Sequence, residues 1–334
     1  MARSKPAEAR ATAVAPIAAP RAGGVRSVLV LADLEKQGVR EFRATFQPWL
    51  EARAERVVLE GDVRAFCKRR EALDDAAAAR EAFDLVIVLG GDGAILGAVR
   101  AFGRAPVPTL GINFGRVGFL ASTPASRAQE VVAGVLDGRG VLEARMRLET
   151  RLERRRDHSE VRPIALNDVV LQRGATQGLL TLALSVDGAW VTNYRADGLI
   201  VATPSGSTAH SLSAGGPVLA PEMLALVVTP ICPQALSHRP IVLHPDSKIE
   251  IQVVACSGLT SVAVDGQGFY PLEQGDRVEL ARHPLSYPLL GFPGLDPYRR
   301  LRSRLGWSGT LGPRIADDTT ASDADREDRG PSVL

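Results

Sequence analysis

The feature that most constrains the fold is a short apolar run that ends in a glycine-rich loop. Residues 84–89, DLVIVL, are apolar on both faces, a pattern typical of a central strand in a parallel sheet that helices cover on both sides. Gly90-Gly91-Asp92-Gly93 follows, and residues 94–102 then have helical character. Strand, glycine loop and helix in this order predict an α/β domain.

The segments around this loop also alternate between strand and helix. Strands are predicted at residues 25–31 and 109–112, and helices at residues 35–53, which Pro48 interrupts, and at residues 64–83. This order predicts an N-terminal α/β domain with a doubly wound parallel sheet over residues 25–124.

The pattern changes after about Pro124. One helix is predicted at residues 126–136, and strands with alternating polarity follow at residues 181–186, 190–194, 247–254 and 259–264. Asp187-Gly188 and Asp265-Gly266 predict hairpin turns of type I′, which need positive φ. Short helices are predicted near residues 208–215 and at residues 295–305. Residues 125–284 are therefore expected to form a β-rich domain.

The bulk composition excludes several classes of protein. The chain has 334 residues, 45% of them hydrophobic, a length and composition that fit two domains with a sizeable core. Its net charge of +2 gives no global electrostatic field that would attract nucleic acid or an anionic membrane. Cys67, Cys232 and Cys256 have neither disulfide-framework nor zinc-ligand spacing, and no apolar run is long enough to span a bilayer. We expect a cytoplasmic protein with disordered segments at residues 1–24 and 313–334. A transit peptide is the alternative for the first segment.

The glycine loop is suited to phosphate. Because they lack a Cβ, Gly91 and Gly93 let backbone N–H groups point at an anion, and the helix N-terminus adds partial positive charge. An acid beside a phosphate indicates that Asp92 holds a metal ion or takes a proton from an attacking hydroxyl. The alternative is a tight turn in which Asp92 caps the helix. The spacing fits neither a Walker A loop nor the dinucleotide fingerprint.

A second polar cluster lies in the β-rich half. Residues 205–208, Ser-Gly-Ser-Thr, offer donors suited to amides, riboses or phosphates; a helix cap followed by a turn is the alternative. As a lone histidine, His210 fits a packing role better than that of a base. Asn167-Asp168, a polar pair inside an apolar strand, indicates a ligand contact or a structural bulge. Asp197-Gly198 breaks another strand with an acid that is expected to be buried.

Together these segments resemble the NAD kinase family. The matching segments, in the family's order, are GGDG at residues 90–93, GINFGRVGFL at 111–120, LNDVVLQRG at 166–174, YRADGLIVATPSGSTAHSLSAGGP at 194–217 and ICPQALSHRPIVL at 231–243. The first is shared with diacylglycerol kinases and phosphofructokinases, and TPSGSTA is the discriminating one.

The resemblance implies a C-terminal all-β sandwich, an active site between the two domains, and residues 285–307 packing on the first domain. It implies that the γ-phosphoryl of ATP, or a phosphoryl of polyphosphate, moves to the 2′-hydroxyl of the adenosine ribose of NAD, giving NADP. A divalent cation, usually Mg²⁺, is implied to bind mainly through the donor phosphates. A homodimer or homotetramer is implied, with part of the NAD site from a neighbouring subunit. The alternatives are a kinase of a lipid or sugar hydroxyl and a non-catalytic NADP(H)-binding sensor.

Carried over residue by residue, the resemblance makes Asp92 the general base. The residues implied to bind substrate are Gly91 and Gly93 at phosphate, Asn167 and Asp168 at adenine and ribose, Arg195 and Asp197 on the nicotinamide side, and Asn113, Phe114, Thr208, Ala209, His210, Ser211, Leu212, Ser213 and Gln267. The chain departs from the family pattern at several of its positions: Asp168 stands for Glu, His210 for Tyr, and Ala94 for Thr or Asn.

Overall fold

The computed structural model describes residues 25–71, 83–115, 118–174, 180–291, 301–302 and 305. The chain divides into two compact units, Met1–Leu295 and Asp296–Leu334. In the second unit the described residues 301, 302 and 305 are helical, whereas both expected disordered segments and most of the helix predicted at 295–305 lie outside the described residues. The fold and the site below concern the first unit.

Twenty strands and five α-helices make up the described part of the first unit. The strands are β1 (Ser27–Ala32), β2 (Arg56–Glu60), β3 (Leu85–Gly90), β4 (Thr109–Asn113), β5 (Thr123–Pro124), β6 (Val141–Arg145), β7 (Leu148–Glu153), β8 (Glu160–Val161), β9 (Ile164–Ala165), β10 (Asp168–Arg173), β11 (Leu180–Val186), β12 (Ala189–Ala196), β13 (Gly198–Ala202), β14 (Leu226–Ile231), β15 (Ile241–Leu243), β16 (Ile249–Cys256), β17 (Thr260–Val264), β18 (Gly268–Leu272), β19 (Arg277–Arg282) and β20 (Tyr287–Gly291). The helices are α1 (Val39–Glu51), α2 (Val63–Glu71), α3 (Asp92–Ala101), α4 (Ala128–Leu136) and α5 (His210–Ser213). None of the described helices is long and apolar enough to cross a bilayer.

The first sheet is the predicted α/β sheet. Its strand order is β2-β1-β3-β4-β20-β6, with β5 beside β4, and all its pairings are parallel except that of β20 with β6. Every residue of β3 is buried, as expected for a strand with helices on both faces. One core joins the sheet to α1 and α4, and another joins it to α2 and α3. β20 returns to this sheet from the far end of the unit.

Helix α1 differs from its prediction at Pro48. The helix runs through Pro48 and ends at Glu51, so the predicted interruption is wrong. Pro48 lies in the last turn, where the loss of one backbone N–H affects few hydrogen bonds. Phe46 and Leu50, on either side of it, are fully buried, and their packing holds this turn in the helix.

The second domain is a sandwich of two antiparallel sheets. One has the order β15-β14-β13-β10-β17-β18, and the other β12-β11-β16-β19-β7-β8 with β9 beside β7. A single apolar core fills the space between them. Both predicted hairpin turns are present, with positive φ of 51° at Asp187 and 50° at Asp265. The outer face of the first of these sheets carries a smaller cluster that includes Ile200, Leu219 and Val227.

A buried arginine joins the two domains. Arg147 follows β6, is fully buried, and donates to the carbonyl oxygens of Gly103 (2.6 Å) and Leu285 (2.9 Å). Gly103 lies just after α3 and Leu285 just before β20, so one guanidinium holds three segments where the chain passes between the domains. Burial lowers the pKa of Arg147 to about 10, which leaves it charged at neutral pH.

Candidate active site

The glycine loop fixes the position of Asp92. Gly91 is the N-cap of α3, and Asp92 is the first helical residue. No side chain caps this helix, so the alternative in which Asp92 is a cap is wrong. The carboxylate instead accepts backbone N–H groups from the chain after β4: Oδ2 from Phe119 (2.8 Å), and Oδ1 from Leu120 (3.2 Å) and Ala121 (2.9 Å).

The loop after β4 lies against this carboxylate. A Cβ on Gly118 would stand 1.9 Å from Asp92 Oδ1, so only glycine permits the approach. Asn113 is buried and its Nδ2 donates to the Gly115 carbonyl (3.1 Å), while the Phe114 N–H donates to the Gly90 carbonyl (3.0 Å). Phe114 therefore joins this loop to the glycine loop, and Asn113 fixes the turn that follows β4.

In the second domain, a buried carboxylate organises the Asn167-Asp168 segment. Asp265, in the turn between β17 and β18, accepts the backbone N–H groups of Leu166 (2.8 Å), Asn167 (2.7 Å) and Asp168 (3.1 Å). Burial raises the pKa of Asp265 to about 7, and the backbone donors act in the opposite direction. From the sequence, this residue was predicted only to form a turn. Its structural role depends on hydrogen bonds to residues that lie about a hundred positions earlier in the chain.

Asp168 and His210 form a pair at this segment. Asp168 is fully buried, and both of its carboxylate oxygens lie 3.2 Å from His210 Nδ1. The hydrogen bond to Asp168 raises the pKa of His210. The His210 side chain is 57% exposed, so the ring is accessible while the buried carboxylate fixes one of its nitrogens.

The Ser-Gly-Ser-Thr segment packs directly on Asn167. A Cβ on Gly206 would lie 2.0 Å from the Asn167 carbonyl oxygen, and the Thr203 N–H donates to that same oxygen (2.8 Å). Asn167 Oδ1 and Ser205 Oγ are both buried, and neither has a hydrogen-bond partner among the described residues. The two atoms belong to segments that pack on each other, and buried polar atoms of this kind are completed by a water or a ligand.

The rest of this run continues from a 3₁₀ turn into α5. The Thr208 hydroxyl donates to the Ser205 carbonyl (3.2 Å), and Ala209 links the turn to the helix. Ser211 is buried, with its hydroxyl 2.9 Å from that of Thr229, so it supports the run from inside. Leu212 is half-buried and Ser213 is exposed.

Gln267 connects the two halves of the site. Its side-chain Nε2 donates to the Gly93 carbonyl oxygen at 2.8 Å. Gln267 follows Asp265 in the same turn, and Asp265 holds the backbone of Asn167 and Asp168. The glycine loop and the Asp168–His210 pair are therefore linked through one turn within a single chain.

Beside the glycine loop there is a cavity of about 860 Å³, which we call the basic cavity. Its lining includes Gly91, Gly93 and Gln267, together with the cations Lys36, Arg40, Arg64, Lys68 and Arg100 and the acids Asp33, Glu35 and Asp62. None of these charged residues was singled out from the sequence. The one available signal was the basic composition of α2, VRAFCKRRE, which also fits an ordinary solvated helix face.

Arg195 and Asp197 lie apart from the Asp168–His210 pair. Asp197 is bound by Arg173 (2.7 Å between Oδ1 and Nε) and its side chain is 40% exposed, so the expectation of a buried acid is wrong. Arg173 and Asp168 are the two ends of β10, about 16 Å apart at the usual rise of a strand. Arg195 is exposed on β12. Within one chain, these two residues do not join the rest of the candidate site.

A glycine loop at a helix N-terminus, a carboxylate in that loop and an adjoining cavity lined by cations are features that phosphoryl transfer requires. The ATP-NAD kinase N-terminal domain matches residues 21–140, and the ATP-NAD kinase C-terminal domain matches residues 166–290. The chain belongs to the ATP-NAD kinase family and is a kinase.

Individual relatives and solved structures are consistent with this family. The NAD kinase of Rhodopirellula baltica is 44% identical over 228 residues, which cover 68% of this chain and 73% of that protein. The NAD kinase of Burkholderia multivorans is 41% identical over 274 residues, covering 81% and 90%. The crystal structure of yeast NADH kinase complexed with NADH has a TM-score of 0.77 at 28% identity, and covers 88% of this chain and 91% of that one. An Archaeoglobus fulgidus NAD kinase in complex with ATP shares the fold, with a TM-score of 0.61 at 24% identity over 84% of this chain and 97% of that one. The predicted family and fold class are confirmed.

Proposed function

We propose that this chain transfers the γ-phosphoryl of ATP to the 2′-hydroxyl of the adenosine ribose of NAD, giving NADP and ADP. The observation that carries the proposal is the contact between Gln267 and Gly93, because it brings the turn that organises Asn167 and Asp168 to the glycine loop that holds Asp92. Membership of the family and the relatives named NAD kinase support it.

Asp92 is the group that takes the proton. An ionised carboxylate has about four acceptor positions, and backbone N–H groups fill three of them here. Oδ2 accepts from Phe119 alone among the described residues, so Oδ2 is the oxygen that receives the 2′-hydroxyl proton. The ribose oxygen then bonds to the γ-phosphorus, and the bond from that phosphorus to the ADP oxygen breaks. A positioned base contributes roughly 10²- to 10⁴-fold in rate.

The adenosine half of NAD binds at the second cluster. Asn167 Oδ1 and Ser205 Oγ are buried without partners, and they complement the amino group of adenine and a ribose hydroxyl. Asp168, His210 and the remaining residues of the 208–213 run form the adjoining surface. Gly91 and Gly93 present their backbone to phosphate.

A divalent cation, which we take to be Mg²⁺, fits the basic cavity. Mg²⁺ binds through substrate phosphates and one or two carboxylates, and Asp33 and Asp62 are among the residues that line this cavity. When bound, the cation neutralises charge on the donor phosphates.

The nicotinamide half needs a second copy of the chain. Because Arg195 and Asp197 lie at the other end of β10 from Asp168, we propose that they serve the site of a neighbouring subunit in a homodimer or homotetramer. All three cysteines are free thiols, which favours a reducing compartment, and we propose the cytoplasm.

The test is an end-point assay with purified protein, ATP, Mg²⁺ and NAD, in which NADP is read by an NADP-specific dehydrogenase. We expect NADP well above a no-enzyme blank. Asp92→Asn is expected to keep NAD binding and lose most of the rate. Asp137→Asn, a surface carboxylate paired with Arg139, is the matched control and should keep full activity. A wild-type reaction at the level of the blank would refute the proposed function.

A further inference from the structure

The basic cavity carries an excess of positive side chains beside the reacting loop. Five lysines or arginines and three acids line it. Among the described residues, Lys36, Arg64 and Lys68 make no ion pair. The volume of about 860 Å³ falls within the range of roughly 300–1,000 Å³ that small-molecule sites occupy. Size and charge both suit a ligand with several negative charges.

Two of these cations share one face of α2. Arg64 and Lys68 stand four residues apart, so they lie side by side along the helix, and both line the basic cavity. Like charges at this spacing oppose each other. Asp62, the lining acid nearest to them in sequence, already accepts the Ala65 N–H (2.9 Å) at the start of the helix. An anion in the cavity would offset the repulsion between Arg64 and Lys68.

Lys36 reaches the reacting loop itself. It lies in the turn between β1 and α1, where its N–H donates to the Asp33 carbonyl (3.0 Å). Its Nζ stands 2.8 Å from the point that a Cβ on Gly91 would occupy, and its Cε lies 3.8 Å from the same point on Gly115. The ammonium therefore sits over the residue that precedes Asp92, at the carboxyl ends of neighbouring parallel strands.

We propose that Lys36 binds the phosphoryl group that is transferred, and that Arg64 and Lys68 bind the rest of the donor's phosphate chain. This inference rests on the proposed function, and it goes further by naming the residues that recognise the donor and by stating that they read its phosphates. A lysine acts on phosphate as a point charge on a flexible stem, so recognition does not depend on the base attached to the chain. Inorganic tripolyphosphate therefore competes with ATP for this site.

The experiment compares Lys36→Ala, Lys36→Arg and the double variant Arg64→Ala/Lys68→Ala with wild type in steady-state NADP formation. We expect Lys36→Ala to lower kcat/KM for ATP about 10- to 100-fold, the loss typical of one hydrogen bond to a charged group, with KM for NAD within about twofold of wild type. Lys36→Arg should recover part of the loss because it keeps the charge. The double variant should raise KM for ATP with less effect on kcat.

Arg43→Ala is the matched control, since Arg43 lies on α1 outside the basic cavity and should leave all constants unchanged. Tripolyphosphate binding, measured by calorimetry on wild type and Lys36→Ala, separates this inference from the proposed function. Weaker binding to Lys36→Ala supports the site even if wild type forms no NADP. Equal tripolyphosphate affinity overturns it, and so does a kcat/KM for ATP within twofold of wild type in Lys36→Ala together with an unchanged KM for ATP in the double variant. Circular dichroism checks that each variant is folded, and Lys36→Met, which keeps the stem, replaces Lys36→Ala if that variant is not.

Discussion

A methyl group at Gly206 tests whether the small-hydroxyl segment must lie on Asn167. In Gly206→Ala the new Cβ would meet three backbone atoms of Asn167: the carbonyl oxygen at 2.0 Å, the carbonyl carbon at 2.4 Å and Cα at 2.8 Å. Backbone atoms cannot rotate away, so the segment must move by about 1 Å to reach even the closest tolerable contact. The same movement stretches the hydrogen bonds from the Thr203 N–H to Asn167 (2.8 Å) and from the Thr203 hydroxyl to the Leu166 carbonyl (2.6 Å).

The magnitude follows from these two bonds. Each buried bond that is lost costs about 1–2 kcal/mol, so Gly206→Ala should lower the free energy of unfolding by about 2–4 kcal/mol. A misplacement of about 1 Å beside the reacting groups costs about 10²-fold in kcat/KM. Urea unfolding followed by circular dichroism measures the first quantity, and NADP formation at varied NAD measures the second.

Gly140→Ala is the matched control for this substitution. The closest contacts of its Cβ would be the ends of the Val135 and Leu290 side chains, at 3.1 and 3.2 Å, with the Val135 Cα at an ordinary 3.7 Å. Gly140 lies outside the site. We expect a change within about 1 kcal/mol and normal activity. A Gly206→Ala variant whose free energy of unfolding lies within about 0.5 kcal/mol of wild type and whose kcat/KM for NAD is unchanged would contradict the close contact between Gly206 and Asn167.

Three further substitutions probe the second cluster. Asp265→Asn puts an amide N–H against one of the three backbone donors. At pH 8 we therefore expect urea titrations to give a free energy of unfolding lower by about 1–3 kcal/mol, and an unchanged value would contradict the role given to this carboxylate. Ser205→Ala removes a buried hydroxyl without a partner, so stability should stay within about 0.5 kcal/mol while KM for NAD rises; an unchanged KM would remove Ser205 from the ligand site. Asp168 raises the pKa of His210. The ion pair therefore stabilises the folded state fully at pH values below about 6.5, the pKa of histidine in the unfolded chain. This stabilisation is lost as the pH rises through the pKa of His210 in the folded protein. Since the ring is largely exposed, the loss should stay below about 1 kcal/mol; melting curves between pH 5.5 and 9 on wild type and His210→Asn should differ in slope, and parallel curves would contradict the ion pair.

Local chemistry made part of this structure predictable. A run buried on both faces and followed by glycines has few alternatives to a central parallel strand, and β3 with its loop is found as expected. Asp187-Gly188 and Asp265-Gly266 likewise specify their turns through positive φ. The features that the sequence did not predict depend on contacts between residues far apart in the chain. Pro48 stays within α1 because Phe46 and Leu50 pack against the sheet.

The candidate site was also predictable only in the parts that have a distinctive local sequence. The glycine loop and the Ser-Gly-Ser-Thr segment each have a composition that indicates ligand binding. The basic cavity does not, because Lys36 and the cations of α2 meet only when β1 and β2 lie side by side. The ion pair of Asp197 with Arg173 was equally hidden, since its partner lies 24 residues away on another strand.

The most direct test of the account is a crystal structure of this chain with NADP bound, since the product carries the transferred group. We predict that the phosphorylated 2′-oxygen of the adenosine ribose lies within about 3.5 Å of Asp92 Oδ2, hydrogen-bond range, with the adenine against Asn167 and Ser205. An adenosine ribose whose 2′-oxygen lies far from Asp92, or an adenine bound away from residues 205–213, would contradict the claim that the glycine loop and the small-hydroxyl segment form one site.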